Sequence, residues 1–228
     1  MRRHHDMGGL PAGACVRDAH DHAPWEKRVD ALMMLLSSRE RRLLTVDELR
    51  RNIEDLGAHA YDALGYYERW MHAIAQTLLQ RGVLTIEEIA SALAGGADPR
   101  FAPGAASGAA PQGRVARPAA EEAREPRSGK APGTVMPRFG VGDRVRVRAY
   151  DPPGHVRTPW YCRGQVGCIE RICGAFANPE ELAYGRDGLP ARPLYRVRFD
   201  CRELWTDYRG SADDVVEIEI YEHWLEPA

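Results

Sequence analysis

The chain has 228 residues, with 31 Lys and Arg against 33 Asp and Glu, a formal charge of −2. That balance argues against a general nucleic-acid binder, which carries a clear basic excess. No run of about 18 apolar residues is present to make a transmembrane helix. The opening Met1-Arg2-Arg3-His4-His5-Asp6 lacks the apolar core of a signal peptide. An odd cysteine count, five, points to a reducing, cytoplasmic setting.

Residues 1–24 are rich in Gly, His and Asp and show no hydrophobic period, so they read as an extended arm. His4, His5, His20 and His22 fall here without a helical i,i+4 pair, which favours solvated or interface histidines over a metal site. With no core of its own, the arm is expected to wrap a partner subunit; the alternatives are that it is disordered or folds back on its own chain.

From Trp25 the spacing becomes helical, with Trp25, Val29, Leu32 and Leu36 at steps of three and four. Thr45-Val46-Asp47-Glu48 is a capping box that opens a second helix, closing near Gly57. Arg50 falls on the stripe that Val46, Ile53 and Leu56 mark as buried, where a guanidinium needs an anionic partner. A third helix is expected from about Ala60 to Arg81, with Tyr66, Trp70, Ile74 and Leu78 on one face. Taken alone, that aromatic pair at i,i+4 is a core stripe. Thr85-Ile86-Glu87-Glu88 starts a short fourth helix.

Residues 94–136 are Gly-, Ala- and Pro-rich with few large apolar side chains, and read as a linker. From Phe139 the period switches to two. Val145 and Val147 alternate with arginines; Tyr195, Val197 and Phe199 alternate with Arg196 and Arg198; Val216, Ile218 and Ile220 alternate with Glu217 and Glu219. Several short strands with Gly and Pro turns predict a small antiparallel barrel of SH3-like size. The arginine rows read as a solvated face, with Arg196 and Arg198 paired to Glu217 and Glu219 across strands. Cys168 and Cys173 are five residues apart, which is not zinc-site spacing, and read as small apolar strand residues. Between the first strands lies Gly154-His155-Val156-Arg157-Thr158-Pro159-Trp160-Tyr161-Cys162-Arg163-Gly164, a Gly-bounded turn segment holding two arginines.

The whole is an α+β chain: extended arm (1–24), helical domain (25–93), linker (94–136) and SH3-like antiparallel β-barrel (137–228).

Several segments resemble the nitrile hydratase β subunit family. His5-Asp6-Met7-Gly8-Gly9 is similar to its His-Asp-x-Gly-Gly opening, and Trp25-Glu26-Lys27 to the start of its first helix. Asp47-Glu48-Leu49-Arg50 resembles Asp-Glu-Phe-Arg, and Tyr66-Tyr67-Glu68-Arg69-Trp70 resembles Tyr-Tyr-x-His-Trp. Gly142-Asp143-Arg144-Val145, Pro153-Gly154-His155-Val156-Arg157, Leu194-Tyr195-Arg196-Val197-Arg198-Phe199 and Glu203-Leu204-Trp205 follow in the family's order. Arg69, where nitrile hydratases usually have His, and the tail 216–226 lean toward the sister thiocyanate hydrolases, which split this plan into two chains. Metallochaperones of the system also resemble parts of the β subunit, but lack the complete two-domain plan.

The resemblance implies a heteromer, in the family a heterodimer or heterotetramer, with an α-type subunit that holds low-spin cobalt or iron through a Cys-x-x-Cys-Ser-Cys cluster. That cluster does not occur in this sequence, so no metal is expected on this chain. It further implies that Arg50 and Arg157 hold the oxidised cysteine ligands of the partner, that Tyr66 hydrogen-bonds substrate or water, and that Met33, Val46, Leu49, Arg69 and Trp70 line the pocket. Relatives often carry Leu, Phe and Phe where this chain has Val46, Leu49 and Met33, which implies a less aromatic wall. The implied substrate is a small nitrile, or thiocyanate in the sister branch, with no nucleic acid or membrane partner.

Overall fold

The computed structural model describes residues 2–14, 21–94 and 136–228. The expectations for Cys15, His20 and the linker interior lie outside those residues.

Helix α1 (Pro24–Ser37) starts with Pro at its first position, where no N–H is needed, and with the Ala23 N–H donating to Glu26 Oε2 at 2.7 Å. It buries Val29, Met33 and Leu36. Trp25 and Leu32, expected on that stripe, are 43% and 41% exposed. Helix α2 (Val46–Glu54) has the expected capping box: the Glu48 N–H donates to Thr45 Oγ1 at 3.0 Å, and the Thr45 N–H donates to Glu48 Oε2 at 2.8 Å.

The buried face of α2 is Glu48, Leu49 and Asn52, not the stripe expected from Val46. The polar members of this face are all satisfied. Glu48 accepts from Arg81 at 2.9 and 2.8 Å, and the Asn52 amide donates to Thr77 Oγ1 at 2.8 Å. Paired polar groups made this face look hydrophilic in the sequence. Arg50 is therefore turned away from the helical core and is exposed.

The single long helix expected from Ala60 to Arg81 is two helices, α3 (Ala58–Ala63) and α4 (Tyr66–Gln80). Leu64 is extended, and the Gly65 N–H donates to Glu68 Oε2 at 2.7 Å, which restarts the helix. Helix α5 (Ile86–Ala94) buries no residue. Met33, Leu36, Leu44, Leu49, Ala73, Ile74 and Leu78 form the core between α1, α2 and α4.

Beyond this lie β1 (Arg144–Val147), β2 (Val166–Phe176), β3 (Arg192–Asp200), β4 (Val215–Tyr221) and β5 (Leu225–Pro227), with short helices α6 (Pro179–Leu182) and α7 (Cys201–Leu204) in the connections. The sheet is antiparallel in the order β4-β3-β2-β1-β5. Among the described residues the sheet is not closed into the expected barrel: β4 pairs with β3 and the three-residue β5 with β1. A turn at Glu222–Trp224 carries the chain from one edge to the other. Val145, Val147, Tyr195 and Val197 have no exposed surface, so the period-two alternation marks the core as expected. On the opposite face Arg196 bonds Glu219 at 2.7 Å and lies 3.9 Å from Glu217, while Arg198 pairs with Glu170 at 3.9 Å.

Helix α2 meets the connection after α6. The Arg51 guanidinium donates to the Ala183 carbonyl at 2.6 Å, and the Thr45 hydroxyl donates to the Leu182 carbonyl at 3.0 Å. Residues 3–9 lie over the loop before β2, as in the alternative of an arm that folds back on its own chain.

Candidate functional site

A cleft of about 320 Å³ opens between α2, the arm and the loop 151–163, and Arg50 and Arg157 both line it. Helix α2 presents Asp47, Arg50 and Glu54 at spacings of three and four, which puts them on one face. That face looks toward the loop rather than toward the helical core.

The loop is shaped by Gly154, whose φ of +90° suits glycine, and whose missing side chain leaves room for the Tyr184 hydroxyl. Next to it His155 is buried, its side chain wholly so. Its Nδ1 lies 2.8 Å from Glu54 Oε2, and its Nε2 lies 3.9 Å from Asp47 Oδ1. A carboxylate only accepts, so Nδ1 carries the proton. His5 from the arm adds a third contact, with Nε2 at 3.8 Å from Glu54 Oε2. Burial lowers the His5 pKa, against the raising influence of Glu54.

The two arginines of the loop differ in kind. Arg163 clasps the loop: it donates to the Thr158 carbonyl at 3.1 and 2.9 Å, meets Asp151 at 3.3 Å and lies over the rings of Trp160 and Trp224. Arg157 makes no hydrogen bond or ion pair within 4.0 Å among the described residues. Its side chain is exposed, yet partial desolvation by the cleft walls is the largest influence lowering its pKa. The Arg50 charge comes next, and Glu54 and Asp47 oppose both. Arg50 itself holds Asp47 at 3.1 Å. The cleft thus offers one shared guanidinium and one uncommitted guanidinium, a geometry that accepts an anion with two or more oxygens.

The other residues expected at the site are placed elsewhere. Met33 and Leu49 are each 3% exposed inside the helical core. Val46 is 46% exposed at the start of α2 and does not line the cleft. Tyr66, 61% exposed, packs near Tyr67 and Trp70 with ring centroids 5.2 and 5.3 Å away, and neither Tyr66 nor Trp70 lines the cleft. Arg69 braces the α3–α4 break, donating to the Leu64 carbonyl at 3.1 Å and lying 4.6 Å over the Tyr61 ring. Tyr61 lines the cleft. Sequence reasoning overlooked Asp47, Glu54 and His155 as a unit. Their signal was the i, i+7 carboxylate pair on α2 beside a histidine two residues before Arg157.

Among the described residues no group of three or more His, Cys, Asp or Glu side chains is placed to hold a metal ion. Cys162 and Cys201 are buried and Cys168 and Cys173 half-buried, all as free thiols. Burial pushes the Cys162 thiol up to about 12, which keeps it protonated and unsuited to coordination. Among the described residues these donors do not fit a metal centre. No helix among the described residues is long and apolar enough to cross a membrane.

Helices and an antiparallel sheet, with an arginine-lined cleft where they meet, define an α+β chain with a candidate anion site. The N-terminal model of the nitrile hydratase β subunit matches residues 1–125 and the C-terminal model matches residues 128–227. The chain is 31% identical over 233 residues to a nitrile hydratase subunit beta of Pseudomonas putida, covering 98% of each chain. It is 34% identical over 209 residues to one of Rhodococcus erythropolis, covering 91% of this chain and 86% of that one. A thiocyanate hydrolase subunit alpha of Thiobacillus thioparus is 35% identical over 92 residues, 40% of this chain and 72% of that one. The chain belongs to the nitrile hydratase β subunit family.

Proposed function

We propose that this chain is the β-type subunit of a heteromeric nitrile hydratase that hydrates a small nitrile to its amide, with residues 25–93 and 137–228 as its two domains. The observation that carries this reading is the pair Arg50 and Arg157 in one cleft, with Arg157 uncommitted to any carboxylate among the described residues. Two guanidiniums side by side repel, so the arrangement is favourable once an anion lies between them. An α-type partner supplies that anion as the oxygens of oxidised cysteine ligands around its cobalt or iron.

Bound in that partner, the metal supplies a Lewis acid for adding water across the carbon–nitrogen bond. Within this chain, Arg157 donates its planar N–H fork to the ligand oxygens, and Arg50 does so while Asp47 fixes its orientation. His155 and Glu54 hold the loop that carries Arg157. Tyr66, Val46, Arg69 and Trp70 line the substrate side only if the partner completes the wall above α4. Met33 and Leu49 act from beneath as packing. Co-expression with an α-type subunit tests the reading: the complex turns over a small nitrile, and Arg157→Lys removes most of that turnover while leaving the complex assembled.

A second reading, a thiocyanate hydrolase subunit of fused type, is supported by the relative named for that activity and by Arg69 in place of the usual histidine. Thiocyanate in place of nitrile in the same assay separates the two.

A further inference from the structure

The arm touches the Arg157 loop at three independent points. The Arg3 guanidinium donates to the carbonyls of Gly154 and of Pro152, the latter at 2.9 Å. The Trp160 N–H donates to Asp6 Oδ2 at 2.8 Å. Gly8 and Gly9 lie against the Tyr161 ring and the Trp205 indole so closely that a Cβ on Gly9 would come within 2.9 Å of Trp205 Nε1 and 3.1 Å of Tyr161 Cβ. Gly9 also has a φ of +76°, which an L side chain strains to adopt.

Arg3 therefore grips the loop before Arg157, and Asp6 grips it after. Between those grips His155 anchors the loop to α2, 2.8 Å from Glu54 and 3.9 Å from Asp47. Two charge-assisted grips on backbone groups hold a loop more firmly than neutral bonds do. His5 and Asp6 also line the same cleft as Arg157.

We propose that residues 3–9 are a latch, and that Arg3 and Asp6 are positioning residues that set the placement of the Arg157 guanidinium. The latch is a statement about this chain alone; its effect on turnover rests on the reading of Arg157 given above. A guanidinium displaced by about 1 Å loses its aim at a fixed anion, so the arm that holds the loop governs the rate.

The test uses the complex with its α-type subunit, with Arg157→Ala alone as the reference, and four further variants: Arg3→Ala, Arg3→Lys, Asp6→Ala and Arg3→Ala combined with Arg157→Ala. Amide exchange across residues 154–160 is expected to speed up about fivefold to tenfold in the two alanine variants, the loss of one or two hydrogen bonds of ordinary strength. Turnover is expected to fall about tenfold through kcat with KM little changed, and Arg3→Lys to recover part of it. The combined variant is expected to be no slower than Arg157→Ala alone, because Arg3 acts through Arg157.

Unchanged exchange overturns the latch, whatever the substrate proves to be. Faster exchange with additive losses in the combined variant overturns the positioning role, as does a loss of turnover explained by dissociation of the complex. If Arg157→Ala costs nothing, the reading of Arg157 fails, and the exchange measurement alone then decides whether the latch exists.

Discussion

Glu54 and His155, 101 positions apart in the sequence, meet at 2.8 Å between the carboxylate Oε2 and the imidazole Nδ1. This contact joins the helix that bears Arg50 to the loop that bears Arg157. His155→Ala is expected to lower the free energy of unfolding by about 2 kcal/mol, the usual worth of a buried hydrogen bond to a charged group. Urea denaturation of the complex measures it through the midpoint at constant slope. An unchanged midpoint would remove this contact from the account.

Acidification should loosen the same region through His5. Burial holds its pKa below the ordinary 6.5, so the folded state binds the proton less readily than the unfolded one. Stability from this group is complete above pH 6.5 and falls as the pH drops from there through the lowered value. His5→Gln should flatten that part of the stability–pH curve. A slope identical in the variant and the parent would assign the effect elsewhere.

Leu49 and Met33 are buried in the helical core, so their truncation should be felt first as lost stability. Leu49→Ala is expected to cost about 2–5 kcal/mol, the transfer and cavity cost of a core leucine. A thermal midpoint within experimental error of the parent, together with an altered substrate preference, would return Leu49 to the pocket wall.

The elements were legible in the sequence where one interaction dominates. The Thr45–Glu48 box was visible because capping needs only two residues at a fixed spacing. The strands were visible because Val145, Val147, Tyr195 and Val197 alternate cleanly between core and solvent. The break at Gly65 was not, since the stripe of Tyr66, Trp70, Ile74 and Leu78 marks α4 without fixing where it begins; Glu68, three residues after Gly65, was the available signal. Barrel closure was overestimated because strand count and alternation say nothing about whether β4 and β5 pair. The face of Arg50 was misjudged for a different reason. Helix α2 buries Glu48 and Asn52 by pairing them with Arg81 and Thr77, and such pairs across elements are invisible to hydrophobic periodicity. The resemblance nevertheless picked out Arg50 and Arg157, which the fold brings to one cleft.

Purified without an α-type subunit, the chain is expected to carry no stoichiometric cobalt or iron. The reason is chemical: it lacks the clustered cysteine ligands, and its Cys162 thiol stays protonated. Elemental analysis decides it. A tightly held low-spin metal in the isolated chain would show that the donor set has been misjudged.

The most direct test of the central claim is the turnover of the assembled complex after Arg157→Lys, with Arg50→Lys beside it. Lysine keeps the charge and loses the fork. Each variant should assemble normally and lose about two orders of magnitude in kcat, roughly 3 kcal/mol of transition-state stabilisation. Near-parental kcat in both would contradict the assignment of these arginines to the partner's anionic ligands.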